Sequence, residues 1–245
     1  MPAFLQRFTR RLLAPSGVLA AVLALTAAIT PAPVYKGVGW KALTKDGIYS
    51  LHPGPYTIVF ANATARSKLA PYFKRPAAQV TTSVGVKVTV SSIIDTTKVG
   101  VCPARHRIVV HYTYRPIGQR GMSEARGCYD TGDRSAWGGH IRMDSEYWTT
   151  KNWFSSKPAV NEAYRRDVAA HELGHILGLD HANVDVNKDG KVSAFECVKS
   201  KAGRKPIMCS PNRGNLAVAD GGKFTSEYDI PGLKELLKNF SLRKG

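Results

Sequence analysis

The chain has 245 residues, enough for one large domain with its own core. Hydrophobic residues at 43% and charged residues at 22% lie near the globular average, which excludes a disordered chain and a bundle of membrane helices. Against 18 Asp and Glu stand 35 Lys and Arg, a net charge of +17 that invites a nucleic-acid reading.

The N-terminus accounts for part of that surplus. Arg7, Arg10 and Arg11 precede an apolar run over residues 17–29 and then Thr30-Pro31-Ala32-Pro33. A basic start, an apolar stretch and small residues near Ala27-Ala28 describe a secretory signal over residues 1–30, with cleavage in the region 28–32. The run is shorter than the ~20 apolar residues a membrane-spanning helix needs. Export leaves 32 bases minus 18 acids, a mature chain of +14, in the extracellular space with no stable membrane association. It also makes disulfides the expected state of Cys102, Cys128, Cys197 and Cys209. Three pairings are possible, and Cys102–Cys128 with Cys197–Cys209 is favoured as the more local set.

Along the mature chain, Tyr56–Ala61 is β-branched and bounded by Pro and Asn, hence a strand. Residues 63–84 carry apolar side chains at helical spacing, with Pro71 and Pro76 expected near the ends or as breaks. Val86–Ser92 alternates as a half-wet strand, Arg107–Tyr114 reads as a more buried one, and Gly139–Trp148 as another. A long helix fits Pro158–Leu177, with Ser156 available as its cap and Pro158 tolerated in the first turn. Asp229–Phe240 closes the chain as an amphipathic helix. The mixture points to one α/β or α+β domain over residues 34–245. Residues 34–110 hold 11 bases and 2 acids, whereas residues 111–182 hold 9 of each. The basic surplus therefore suits an anionic envelope or matrix, with no specific nucleic acid.

The balanced stretch carries the chemistry. In His171-Glu172-Leu173-Gly174-His175-Ile176-Leu177-Gly178-Leu179-Asp180-His181, the first two histidines are i and i+4 on a helix, so both rings leave one face and can share a tetrahedral ion. Glu172 lies beside that face, within reach of a metal-bound water. Gly178 can take the left-handed conformation that ends a helix, and the turn returns His181 as third ligand. Three neutral imidazoles leave a fourth position open, the arrangement of a catalytic zinc. Further on, residues 185–196 match a twelve-residue calcium loop. Asp185, Asn187, Asp189, Ser193 and Glu196 supply side-chain oxygens, Lys191 its carbonyl, and Gly190 the turn. The loop is expected to lead into a short helix carrying Cys197. His111 and His140 read as structural, and Asn62 and Asn239 stand in glycosylation sequons.

With Lys205-Pro206-Ile207-Met208-Cys209-Ser210-Pro211 downstream, the sequence resembles the metzincin clan of zinc endopeptidases, whose signature is HExxHxxGxxH followed by a methionine turn. Residues 226–237 are similar to the last helix of matrixin-type domains. The resemblance implies a zincin-like domain: a twisted, mostly parallel sheet of about four or five strands with an antiparallel edge, and a long active-site helix. It divides the domain into an upper subdomain, 34–178, and a lower one, 179–245, with the Met-turn and final helix. It makes Met208 a packed base under the zinc, and Gly139–Trp148 the edge strand that holds an extended protein or peptide substrate. Ala182, after the third histidine, labels no familiar subfamily, and Ser210 stands where some families place a tyrosine ligand. The function that follows is a secreted, monomeric zinc endopeptidase in which Glu172 acts as general base on a zinc-bound water. Two alternatives stay open: a secreted zinc amidase acting on cell-wall peptides, and a low-activity binding module attached to anionic surfaces.

Overall fold

The computed structural model describes residues 31–211, 214 and 217–244; the expected signal over 1–30 lies outside them. In chain order the elements are β1 (Lys36–Gly37), β2 (Trp40–Ala42), β3 (Ser50–Leu51), β4 (Tyr56–Phe60), α1 (Ala63–Val84), β5 (Val88–Ile94) and β6 (Arg107–Thr113). There follow β7 (Glu124–Tyr129), β8 (Ser135–Asp144), α2 (Glu146–Thr149), α3 (Pro158–Ile176), β9 (Leu179–Asp180) and α4 (Asp229–Leu242). The main sheet runs β3-β8-β6-β4-β5 in parallel, and β7 pairs antiparallel along the other side of β8. A smaller antiparallel sheet joins β1, β2 and β9.

β4 is buried at Tyr56, Ile58, Val59 and Phe60, as expected of a strand with both faces covered. α1 packs over β4, β5 and β6, α3 over β7 and β8, and the two helices touch. Leu69, Phe73 and Val80 of α1 share one core cluster with Ile58, Phe60, Ile108 and Leu173. α1 starts at Asn62, whose side chain accepts the Ala65 N–H at 2.8 Å. The chain is thus α/β, with the helix that carries the HExxH residues laid across the β7 edge of the sheet.

Several local readings are corrected. Pro71 and Pro76 lie inside α1, which runs through both. Each forfeits one helical hydrogen bond, and burial of the apolar face of α1 outweighs that loss. β5 begins two residues later than expected, and β8 starts at Ser135 and ends at Asp144, where the chain turns into α2. The sheet has six strands, and β8 is not its edge: it lies between β6 and β7. The strand missed is β7, whose sequence Glu-Ala-Arg-Gly-Cys-Tyr has no apolar alternation and is held by pairing to β8 and by the Cys102–Cys128 bond. α3 is not capped by Ser156; Lys157 stands at the cap without a side-chain bond, and Pro158 fills the first turn. No helix carries Cys197, because Phe195 takes a φ of +64° and gives its N–H to Ser210 O. Asn239 is buried, donating to Val34 O and Tyr49 O, so its sequon is inaccessible in the folded chain.

One buried acid gives the fold a pH dependence. Asp167 of α3 accepts the Gly222 N–H at 2.7 Å through Oδ1, while Oδ2 has no partner among the described residues. Burial pushes this carboxyl up to about 8, with the Gly222 amide pulling it back. Because the folded value exceeds the ordinary one of 3.8, the stability that Asp167 contributes is complete below about 4 and is lost as pH rises to about 8. Asp167→Asn keeps an acceptor for Gly222. Urea unfolding across that window should show a shallower decline for the variant, by at most about 1.4 kcal/mol per pH unit.

Candidate active site

α3 places His171, Glu172 and His175 in its last two turns, with His171 and Glu172 buried. Gly178 then takes a φ of +97°, which ends the helix and sends the chain into β9. Pairing of Lys41 with Asp180 and Ala42 with Leu179 fixes that return, so that His181 comes back to the other two histidines. Their ring nitrogens lie within 4.8 Å of one another, and among the described residues no other group of three His, Cys, Asp or Glu side chains converges so. His175 Nε2 is 3.1 Å from His171 Nε2 and 3.2 Å from His181 Nε2.

The protons are fixed by backbone carbonyls. His171 Nδ1 lies 2.9 Å from Ile207 O and His175 Nδ1 lies 2.8 Å from Leu179 O. A carbonyl only accepts, so each Nδ1 carries the hydrogen and each Nε2 presents its lone pair inward. Burial holds His171 at about 4 and His175 well below the usual imidazole value, with the neighbouring rings adding to the effect. Burial lowers His181 as well, and Asp180 opposes it. Three neutral imidazoles with convergent Nε2 atoms suit zinc: nitrogen ligands at about 2.0–2.1 Å from a tetrahedral ion stand roughly 3.3 Å apart. Glu172 sits beside them, its carboxyl pushed up to about 8 by burial and by the Glu124 carboxylate. A dication next to it opposes both causes and favours the ionised form.

Met208 is fully buried beneath this centre, against α3. A Cβ at Gly174 would lie 2.4 Å from Met208 Sδ, so glycine is needed for the approach. The first residue of α4, Asp229, clamps the turn: it accepts Ile207 N at 2.8 Å, Met208 N at 3.4 Å, and both the N–H and the hydroxyl of Thr225. Burial raises its carboxyl and these donors pull it back, to about 6. Asp229 thereby aims the Ile207 carbonyl at His171. The sequence placed this acid only at the start of the closing amphipathic helix.

A cleft of about 240 Å³ opens over the histidines, with Gly121–Ala125 along one side and Ser210 and Pro211 on the other. The wall is therefore β7 and the residues before it; of Gly139–Trp148 only Tyr147 lines the cleft. It is fixed by a latch that sequence reasoning missed. Asp144, fully buried at the end of β8, accepts Gly121 N at 2.9 Å and Arg115 N at 3.2 Å. Glu146 binds the Arg115 guanidinium through two hydrogen bonds of 3.1 and 3.0 Å. Two acids at the end of an apolar strand, facing an arginine-bearing loop, were the available signal.

Cys197–Cys209 bonds the end of the loop 185–196 to the residue after Met208, and Cys102–Cys128 bonds β7 to the segment between β5 and β6. In the loop itself the acids turn onto backbone amides. Asp185 accepts Asp189 N and Gly190 N, Asp189 accepts Lys191 N, and Glu196 accepts Val186 N, Asn187 N and Ser193 N. Asn187 also accepts Asp189 N. His111 and His140 pair with each other at 2.9 Å, away from the metal centre, as structural side chains.

The matrixin family model matches residues 125–187, from β7 through the third histidine. This match supports a metzincin-like, zinc-dependent peptidase at family level. No curated protein matches the chain. Among solved structures, a chain of the "GM1 bound form of the ECX AB5 holotoxin" is similar at 16% identity, covering 84% of this chain and 87% of that chain. Its TM-score of 0.41 is too low to carry an argument about fold or function.

Contact between Met208 and Gly174 yields a direct test. Gly174→Ala should lower stability by about 1–3 kcal/mol through overpacking and weaken zinc affinity by displacing Met208. Denaturant unfolding and competition with a chromophoric chelator measure the two effects.

Proposed function

We propose that this chain is a secreted zinc endopeptidase that cleaves extended protein or peptide substrates. The observation that carries the proposal is the convergence of three histidine Nε2 atoms beside a buried Glu172, in a cleft open along β7. His171, His175 and His181 would hold the zinc, which when bound supplies Lewis-acid activation of water and of the scissile carbonyl. Glu172 takes a proton from the attacking water on its carboxylate and returns it to the leaving nitrogen. Among the described residues β7 pairs only with β8, so its other edge can bind a substrate strand through main-chain hydrogen bonds. Met208 and Asp229 hold the ligands from below. Two disulfides suit an oxidising compartment, and among the described residues no helix is long and apolar enough to cross a membrane. The basic surplus of residues 34–110 suits retention at an anionic envelope or matrix.

Glu172→Ala should keep the fold and bind zinc, while hydrolysis of a mixed peptide library falls by about 10²–10⁴-fold. Near-normal turnover in that variant would sink the mechanism, and turnover of cell-wall peptides alone would favour the amidase.

We further assign the loop 185–196 to calcium, as a structural ion. The donor set is hard oxygen, and hydrogen bonds from Ser193 N, Asn187 N and Val186 N keep Glu196 below the usual carboxylate range, as a cation ligand requires. Calcium should raise the melting temperature of the zinc-loaded protein, and Glu196→Gln should abolish the rise without loss of zinc. Equal melting with and without calcium rejects the assignment.

A further inference from the structure

We infer that a second cleft beside the metal centre selects substrates with an aromatic side chain followed by a carboxylate on the leaving-group side of the scissile bond. The inference rests on the peptidase reading above. This cleft, of about 500 Å³, is continuous with the metal cleft, since Gly121, Tyr147 and Pro211 line both. Its walls are aromatic: Trp153 and Phe154 precede α3, Tyr164 lies on α3, and Phe195 belongs to the loop 185–196. Tyr147 meets Phe154 at 5.0 Å and Trp153 at 5.8 Å between ring centroids, and Phe154 stacks on Tyr164 at 5.4 Å. All four wall rings are partly exposed, so they present faces and edges to a guest. An aromatic guest gains offset and edge-on contacts there beyond the area it buries.

Charge supplies the second half of the selection. Arg120 and Lys151 line the cleft, and no acid does. The Arg120 guanidinium lies 4.8 Å over the Trp153 ring, so a cation stands against the aromatic wall. The Glu146 carboxylate that acts on Arg120 is already bound by two hydrogen bonds from Arg115. Direction follows from β7. A peptide added antiparallel to its open edge, the commoner pairing, leaves the residues after the scissile bond beside Gly121 and the second cleft. A carboxylate one or two residues past the aromatic ring then meets both cations.

The test uses the zinc-loaded mature chain and two peptides identical except for Phe-Asp or Phe-Lys after the scissile bond. The expected ratio of kcat/KM, acidic over basic, is about tenfold, the scale of paired complementary charges at a cleft rim. Arg120→Glu with Lys151→Glu, both at exposed positions, should bring that ratio to one or below. A wild-type ratio near one, or a ratio unmoved by the charge reversal, overturns the inference. Hydrolysis of neither peptide is a failure of the peptidase reading instead. In that case fluorescence anisotropy of the same peptides on zinc-loaded Glu172→Ala still decides: tighter binding of the acidic peptide supports the cleft assignment, and equal binding overturns it.

Discussion

Three imidazole nitrogens with their lone pairs turned toward one another repel unless a proton or a cation lies between them. His171, His175 and His181 bring their Nε2 atoms together, with separations of 3.1 and 3.2 Å, and the polypeptide supplies the restraint. Helical spacing sets the first two rings. The turn at Gly178 and the pairing of β9 with β2 return the third. The carbonyls of Ile207 and Leu179 hold the ring hydrogens on Nδ1, and Asp229 in turn holds the amides of Ile207 and Met208. Each restraint comes from a different part of the chain, and the centre is where they meet.

The lower part of the domain is tied to the centre on two sides. Cys197–Cys209 joins the loop 185–196 to the residue after Met208. Asn183, two residues past His181, accepts Ser210 N at 2.8 Å and donates to Ser210 O at 2.7 Å, and Phe195 N reaches the same carbonyl at 2.7 Å. A cation in the loop therefore has a short covalent and hydrogen-bonded route to the methionine turn. The same loop contributes Phe195 to the aromatic cleft, so order in the loop bears on the shape of that cleft as well as on the methionine turn.

Charge divides along similar lines. The basic surplus lies in the N-terminal third, where some of it is paired, as in Arg107 with Asp95 and Arg105 with Asp130. Near the centre Asp144, Glu146, Glu172 and Asp229 are buried. Asp144 and Glu146 hold the loop before β7 through amides and Arg115, and Asp229 holds the methionine turn. Among the described residues no cation bonds to Glu172, and burial raises its carboxyl, with the Glu124 carboxylate adding to the effect.

Residue types at short spacing were legible from the chain alone. His171, Glu172 and His175 are neighbours on one helix, Gly178 ends it, and Met208 follows at the distance a turn requires, so the metal chemistry could be named without coordinates. The strand Tyr56–Phe60 and the helices α3 and α4 were also readable, because burial of an apolar face leaves a local period in the sequence. β7 left no such period, since its place depends on partners in β8 and on a disulfide to Cys102. Likewise nothing local showed that Asp229 grips Ile207, 22 residues away, or that Trp153, Tyr164 and Phe195 face one cleft. The sequence by itself determined that His171, Glu172 and His175 share one stretch of helix, since helical geometry converts spacing into proximity. Only the tertiary structure decided which edge of the sheet is open and what lines the cleft beside it, because those contacts join segments whose separation in sequence carries no information about their distance in space.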